Sequence, residues 1–140
     1  MSEYEAFLLH KLYKMSATET LYKIFKTYPN ITTDSRNIEA GSIFFALKGD
    51  NFNGNKFAAD AILKGAVCAV IDEKEYEIAG KTILVEDVLQ ALKDLAHHHR
   101  KMLALPILAI TGSNGKTTTK ELIAAVLSRK YKISFTQGNL

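Results

Sequence analysis

Two glycines, a lysine and a pair of threonines at residues 112–118 carry the strongest chemical signal in the sequence. The run Gly112-Ser113-Asn114-Gly115-Lys116-Thr117-Thr118 lies between an apolar stretch at 107–110 and a helix-forming stretch that begins at Lys116. Glycine lets the main chain approach an anion closely, so that successive N–H groups can point at its oxygens. A helix N-terminus adds a partial positive charge of about half a unit. Lys116 has the reach for terminal phosphates, and the Thr117 hydroxyl is placed to ligate Mg²⁺. The longer form of such loops carries a glycine where Ile110 stands, so the match is to the shorter G-x-x-G-K-T form. The plain alternative is a helix cap with an exposed lysine. An apolar strand before the loop and a helix after it favour the phosphate cradle.

Other chemistry-bearing residues carry less. His97-His98-His99 are consecutive; on a helix they point in different directions and cannot converge on one ion. Cys68 is the single cysteine and sits in an apolar run, which excludes an internal disulfide and suits a small buried hydrophobe. Asp34, Ser35 and Asn37 are turn formers around Arg36. A complete small phosphate-loop protein would need a metal-binding acid at the end of another strand. Asp72 and Glu86 each follow an apolar run, but both precede the boundary at Pro106 and belong to the other unit.

The elements that must hold these residues alternate. Ser16-Ala17-Thr18-Glu19 has the form of a capping box ahead of a helix stopped by Pro29, and Tyr4, Phe7, Leu8 and Leu12 mark an earlier helical face. Residues 31–33 and 42–47 read as strands, and 48–51 as a loop. Residues 57–64 read as a helix with Phe57, Ala61 and Ile62 inward and Gly65 as its stop. Residues 66–71 and 82–85 are continuous apolar runs, expected to be strands buried on both faces. A helix from Asp87 to Met102 follows, with Val88, Leu92 and Leu95 as its stripe. Pro106 marks a boundary. Strands at 107–110 and 132–136 should flank a helix over 116–129, one β-loop-α-β unit with too few strands to close a sheet; a second domain is expected to continue beyond Leu140. The whole predicts an α/β layer structure.

Bulk properties set the frame. The 140 residues carry a net charge of +3 with basic residues scattered rather than blocked, so nucleic acid is not implied as a partner. No apolar run reaches the roughly 18 residues needed to span a bilayer, and the N-terminus lacks a secretory pattern. No membrane insertion is expected, and a cytoplasmic location is the default.

The string from Thr111 to Glu121, Thr-Gly-Ser-Asn-Gly-Lys-Thr-Thr-Thr-Lys-Glu, resembles the ATP loop of the Mur ligase family. These are ATP-dependent enzymes that extend the peptide of the bacterial cell-wall precursor, and absence of the first glycine is normal among them. The runs Thr33-Asp34-Ser35-Arg36, Gly41 to Gly49, Phe52-Asn53-Gly54 and Gly65-Ala66 resemble the family's UDP-sugar-binding domain. The two motif sets stand in the family's order. The resemblance covers about residues 15–140; residues 1–14 fall outside it, either as an extension or as the product of an early start codon ahead of Met15.

The resemblance implies a UDP-sugar-substrate-binding domain over 15–105 and the start of a P-loop ATPase domain over 106–140. It implies ATP and Mg²⁺ as cofactors, with Gly112, Ser113, Asn114, Gly115, Lys116, Thr117 and Thr118 around the nucleotide. Lys116 and Thr117 would be catalytic, and Thr117 the metal ligand. Ser35, Arg36, Lys48, Gly49, Asp50, Asn51 and Phe52 are the implied UDP contacts. Many members carry aspartate and histidine where Asn53 and Asn55 stand. The ending Thr136-Gln137-Gly138-Asn139, with Lys120-Glu121, looks most like members that join D-alanyl-D-alanine to UDP-N-acetylmuramoyl-tripeptide, and marks Asn139 as a substrate contact. Members that add the third amino acid share the layout and stand as the alternative, as does a non-catalytic UDP-sugar-binding module. The implied reaction activates the peptide's terminal carboxylate as an acyl phosphate for attack by an amine. The family's remaining metal-binding acid and amino-acid-binding domain would lie beyond Leu140, so these residues alone are expected to lack ligase activity.

Overall fold

The computed structural model describes residues 17–137, and the chain divides into two compact units between Ala104 and Leu105. Ser16 of the expected capping box, the apolar face at Tyr4–Leu12, the extension 1–14 and the substrate contact Asn139 lie outside the described residues.

The first unit is built on a parallel sheet of four strands, β1 (Ile31–Thr32), β2 (Ile43–Phe45), β5 (Cys68–Ile71) and β6 (Thr82–Leu84), in that spatial order. Strand β2 pairs with β5 in the register Ile43↔Cys68, Phe44↔Ala69 and Phe45↔Val70. Side chains alternate across a sheet, so β2 feeds two cores. Ile43 and Phe45 join Leu21, Cys68, Val70, Val88 and Leu95 on one face. Phe44 joins Ala46, Ala58, Ala61, Ala69 and Ile71 on the other. Helix α1 (described over 17–27) and helix α3 (Val88–Leu103) cover the first face. Helix α2 (Ala58–Leu63) covers the second. Burial on both sides is why β2 and β5 are apolar without alternation.

Strand β6 departs from expectation. All three of its residues are only partly buried, because β6 pairs with β5 alone and forms an edge of the sheet. Helix α3 starts where the sequence places it: the Asp87 carboxylate accepts a 2.7 Å hydrogen bond from the Gln90 N–H, satisfying one of the donors a helix start leaves unpaired.

Between β2 and α2 the expected loop is a tight hairpin. Strands β3 (Lys48–Gly49) and β4 (Phe52–Asn53) pair antiparallel, Lys48 opposite Asn53 and Gly49 opposite Phe52, leaving Asp50 and Asn51 as the turn. A 3₁₀ turn over Gly54–Phe57 then leads into α2. Phe57, expected to face inward, is 37% exposed. It stacks on Phe52 instead, with ring centroids 5.5 Å apart and planes 11° from parallel.

Cys68 is buried in the sheet, and burial pushes its thiol up to about 11. The reactive form is the thiolate. At neutral pH, Cys68 is therefore expected to react with a thiol reagent at least about a hundredfold more slowly in the native chain than in denaturant. Equal rates in a quenched labelling time course would show that the sheet opens readily.

In the second unit, helix α4 (Lys116–Leu127) forms as expected, though it ends two residues sooner. The strands expected at 107–110 and 132–136 do not form among its described residues. A β conformation is secured by a hydrogen-bonded neighbour, and neither run pairs with another here.

Candidate functional site

In the first unit, the candidate substrate residues fall on two segments. Asp34, Ser35 and Arg36 form the turn after β1. The Asp34 carboxylate accepts from the Arg36 main-chain N–H at 3.0 Å, from its Nε at 2.9 Å and from Nη2 at 2.9 Å. The Arg36 guanidinium, so bonded, draws Asp34 down to about 2, and the same pairing raises Arg36. The pair is solvent-exposed. It sets the side-chain direction of Arg36 more than it stabilises the fold. Ser35 is buried, and its carbonyl accepts from Lys64 Nζ at 3.0 Å. Lys64 is held in turn by Asp60 at 2.7 Å, which ties the turn to α2.

The second segment is the β3–β4 hairpin, carrying Lys48, Gly49, Asp50, Asn51 and Phe52. The Lys48 ammonium lies 3.1 Å from Asp72 Oδ1 and 3.3 Å from Glu73 Oε1. Its hydrogen bond to Asp72 leads the causes that raise its pKa. Asn53 Nδ2 donates to Glu73 Oε2 at 3.0 Å. Asn55, fully buried, donates from Nδ2 to Asp72 Oδ1 at 2.8 Å and accepts from the Asp72 N–H at 3.0 Å. Sequence reasoning missed Asn55, Asp72 and Glu73 as one group. The available signal was a pair of acids directly after a buried strand, of which Asp72 by itself reads as a place for a metal-binding acid.

The second unit holds the glycine loop. Gly115 takes φ 75°, ψ 1° at the N-cap of α4, a left-handed conformation that glycine adopts without strain. No side chain caps the helix and no acid stands in its first turn, so the uncapped N–H groups suit an anion. Lys116 folds back so that its ammonium donates to the Gly112 carbonyl. Ser113, Asn114, Gly115, Lys116, Thr117 and Thr118 line an open cleft of about 790 Å³. At its far side, Lys120 Nζ donates to the Thr136 carbonyl at 2.7 Å and lies 5.9 Å from the centre of the Phe135 ring.

In chain order, a parallel α/β unit is followed by a glycine turn that opens a helix. Residues 27–100 match the description "Mur ligase family, catalytic domain", and residues 110–140 match "Mur ligase middle domain". The chain belongs to the Mur ligase family. It is 44% identical over 113 residues to the UDP-N-acetylmuramoyl-tripeptide–D-alanyl-D-alanine ligase of Synechocystis sp., covering 79% of this chain and 25% of that one. Against the UDP-N-acetylmuramoyl-L-alanyl-D-glutamate–2,6-diaminopimelate ligase of Aquifex aeolicus it is 39% identical over 106 residues, covering 74% and 22%. Among solved structures, the MurF ligase of Thermotoga maritima in complex with ADP matches with a TM-score of 0.69 at 30% identity. That match covers 79% of this chain and 26% of the other. The chain thus spans about a quarter of the length of these relatives. Among the described residues, no helix is long and apolar enough to cross a membrane.

Proposed function

We propose that this chain is the substrate-recognition and nucleotide-loop part of an ATP-dependent ligase in peptidoglycan synthesis. The ligase adds D-alanyl-D-alanine to UDP-N-acetylmuramoyl-tripeptide. The observation that carries the reading is an identity of 44% over 113 residues with a relative named for that reaction. A similar likeness to the diaminopimelate-adding ligase supports addition of the third amino acid as the second reading.

In this proposal residues 15–105 hold the UDP end of the substrate and 106–140 begin the ATP-binding domain. Ser35, Arg36 and the hairpin from Lys48 to Phe52 contact UDP: a guanidinium recognises phosphate oxygens bidentately, and hairpin N–H groups add neutral donors. Gly112 to Thr118 cradle the nucleotide phosphates, and the fit rests on the uncapped start of α4 and the left-handed Gly115. ATP, when bound, supplies the phosphoryl group that turns the substrate carboxylate into an acyl phosphate. Lys116 would set its ammonium against negative charge on the phosphates, and the Thr117 hydroxyl would be the ligand to Mg²⁺. Positioning supplies most of the catalysis.

Calorimetric titration of the chain with UDP and, separately, with ATP and Mg²⁺ tests the reading. UDP is expected to bind, and Arg36→Ala to weaken it about tenfold. Tight ATP binding without UDP binding would instead mark a small phosphate-loop protein. For a polypeptide carrying this sequence, ADP release that needs both the tripeptide substrate and D-alanyl-D-alanine supports the first reaction. Release with the dipeptide substrate and a diamino acid would assign the second.

A further inference from the structure

The geometry points to Asn55 as the residue that positions the substrate-side hairpin, an inference that rests on the UDP reading above. Asn55 is fully buried, and its side-chain amide is satisfied on both atoms. Nδ2 donates to Asn53 Oδ1 at 3.0 Å and to Asp72 Oδ1 at 2.8 Å, while Oδ1 accepts from the Asp72 N–H at 3.0 Å. The Asn55 main-chain N–H also donates to Asn53 Oδ1 at 2.9 Å. One buried amide therefore joins the foot of the hairpin to the end of β5, 17 positions away in sequence.

The outer half of the group completes the bracket. Asn53 and Lys48 face each other across the hairpin, and both reach Glu73, with Lys48 also on Asp72. Both strands of the hairpin are thus fixed at one register pair, and the turn Asp50–Asn51 projects from that base. The Lys48 ammonium is shared between two carboxylates, so it braces the base of the hairpin in addition to the substrate contact proposed for it. The main-chain groups of Gly49 and Phe52 pair with each other across the ribbon, so a diphosphate at this hairpin is met by the main-chain donors of the turn residues Asp50 and Asn51, whose aim the Asn55 bracket sets. Buried polar groups hold such an aim well because each lost bond strands its partner away from water.

The experiment compares UDP with uridine, which lacks the diphosphate. In Asn55→Asp, the Nδ2 donor is lost and a carboxylate faces Asp72. UDP affinity is expected to fall about tenfold or more, with uridine affinity unchanged within about twofold and the thermal unfolding transition still cooperative. The double variant Asn55→Asp with Asp72→Asn exchanges donor and acceptor across the same contact; Lys48 loses the Asp72 charge but keeps Glu73, and Asn53 Oδ1 keeps its main-chain donor. It is expected to return UDP affinity to within about threefold of the unmodified chain. Should the single variant fail to fold, the double variant carries the comparison: UDP affinity within threefold of the unmodified chain supports the role, and a tenfold loss overturns it. Unchanged UDP affinity in a folded Asn55→Asp, or parallel losses for UDP and uridine, also overturns it. If the unmodified chain binds neither ligand, the UDP reading itself falls and takes this role with it. That result differs from UDP binding that is indifferent to Asn55.

Discussion

Gly54→Ala is expected to destabilise the first unit by about 3 kcal/mol, near the upper end of what one inserted methyl group costs. A Cβ on Gly54 would stand 2.5 Å from the Leu47 carbonyl oxygen, 2.6 Å from the Ala46 carbonyl carbon and 2.9 Å from the Ala46 Cα. All three are main-chain atoms, so no side-chain rotation relieves the clash. The Gly54 N–H also donates to the Leu47 carbonyl at 2.9 Å, and moving the chain away would stretch that bond. Its neighbours Asn53 and Asn55 hold the bracket to Asp72 and Glu73, so the β3–β4 hairpin should loosen as well. Amide hydrogen exchange across β2 reads the loss in the first unit alone. Protection within about 1 kcal/mol of the parent chain would mean that the close approach yields more easily than main-chain atoms should.

Phe45→Ala is expected to cost more, about 3–5 kcal/mol, the range for deleting a buried phenylalanine ring. Phe45 is fully buried and shares its cluster with Leu21, Ile43, Cys68, Val70, Val88 and Leu95. The surrounding wall is contributed by a sheet and two helices, which cannot all close on the void together. Against a typical domain stability of about 5–15 kcal/mol, such a loss takes much of the margin. Phe45→Leu, which keeps most of the volume, should cost well under half as much. Urea denaturation of the three chains gives the ordering. Equal midpoints for the alanine and leucine variants would remove Phe45 from the centre of the core.

Much of the fold was legible because its signals are local or periodic. The apolar run around Cys68–Ile71 announces a strand covered on both faces, and Asp87 announces a helix start; both stand in the structure. Strand β6 was read as equally buried because periodicity cannot tell an inner strand from an edge, which depends on spatial order. The strands expected at 107–110 and 132–136 illustrate the same limit, since strand propensity without a partner leaves no ladder. At the candidate site, Gly115 and Lys116 could be read directly, because a glycine turn before a helix has a fixed chemistry. Asn55 could not. Its role comes from Asp72, a partner in a different element, and a lone asparagine beside Gly54 reads as a turn residue until the contact is seen. The stack of Phe52 on Phe57 escaped for a related reason: an aromatic on a helical stripe is assigned to the core by default.

The ladder order β1-β2-β5-β6, parallel throughout, has a consequence for how the first unit acquires its shape. No strand can zip against its neighbour through a short reversal; each must wait for a crossover to swing back. Ile43 meets Cys68 only after the hairpin and α2 have been accommodated. Among the described residues, the strand pair joined by a short local reversal is the small β3–β4 ribbon, which also bears the candidate substrate contacts. A sheet joined throughout by such crossovers is expected to assemble slowly for its size, because its contacts join residues far apart in sequence.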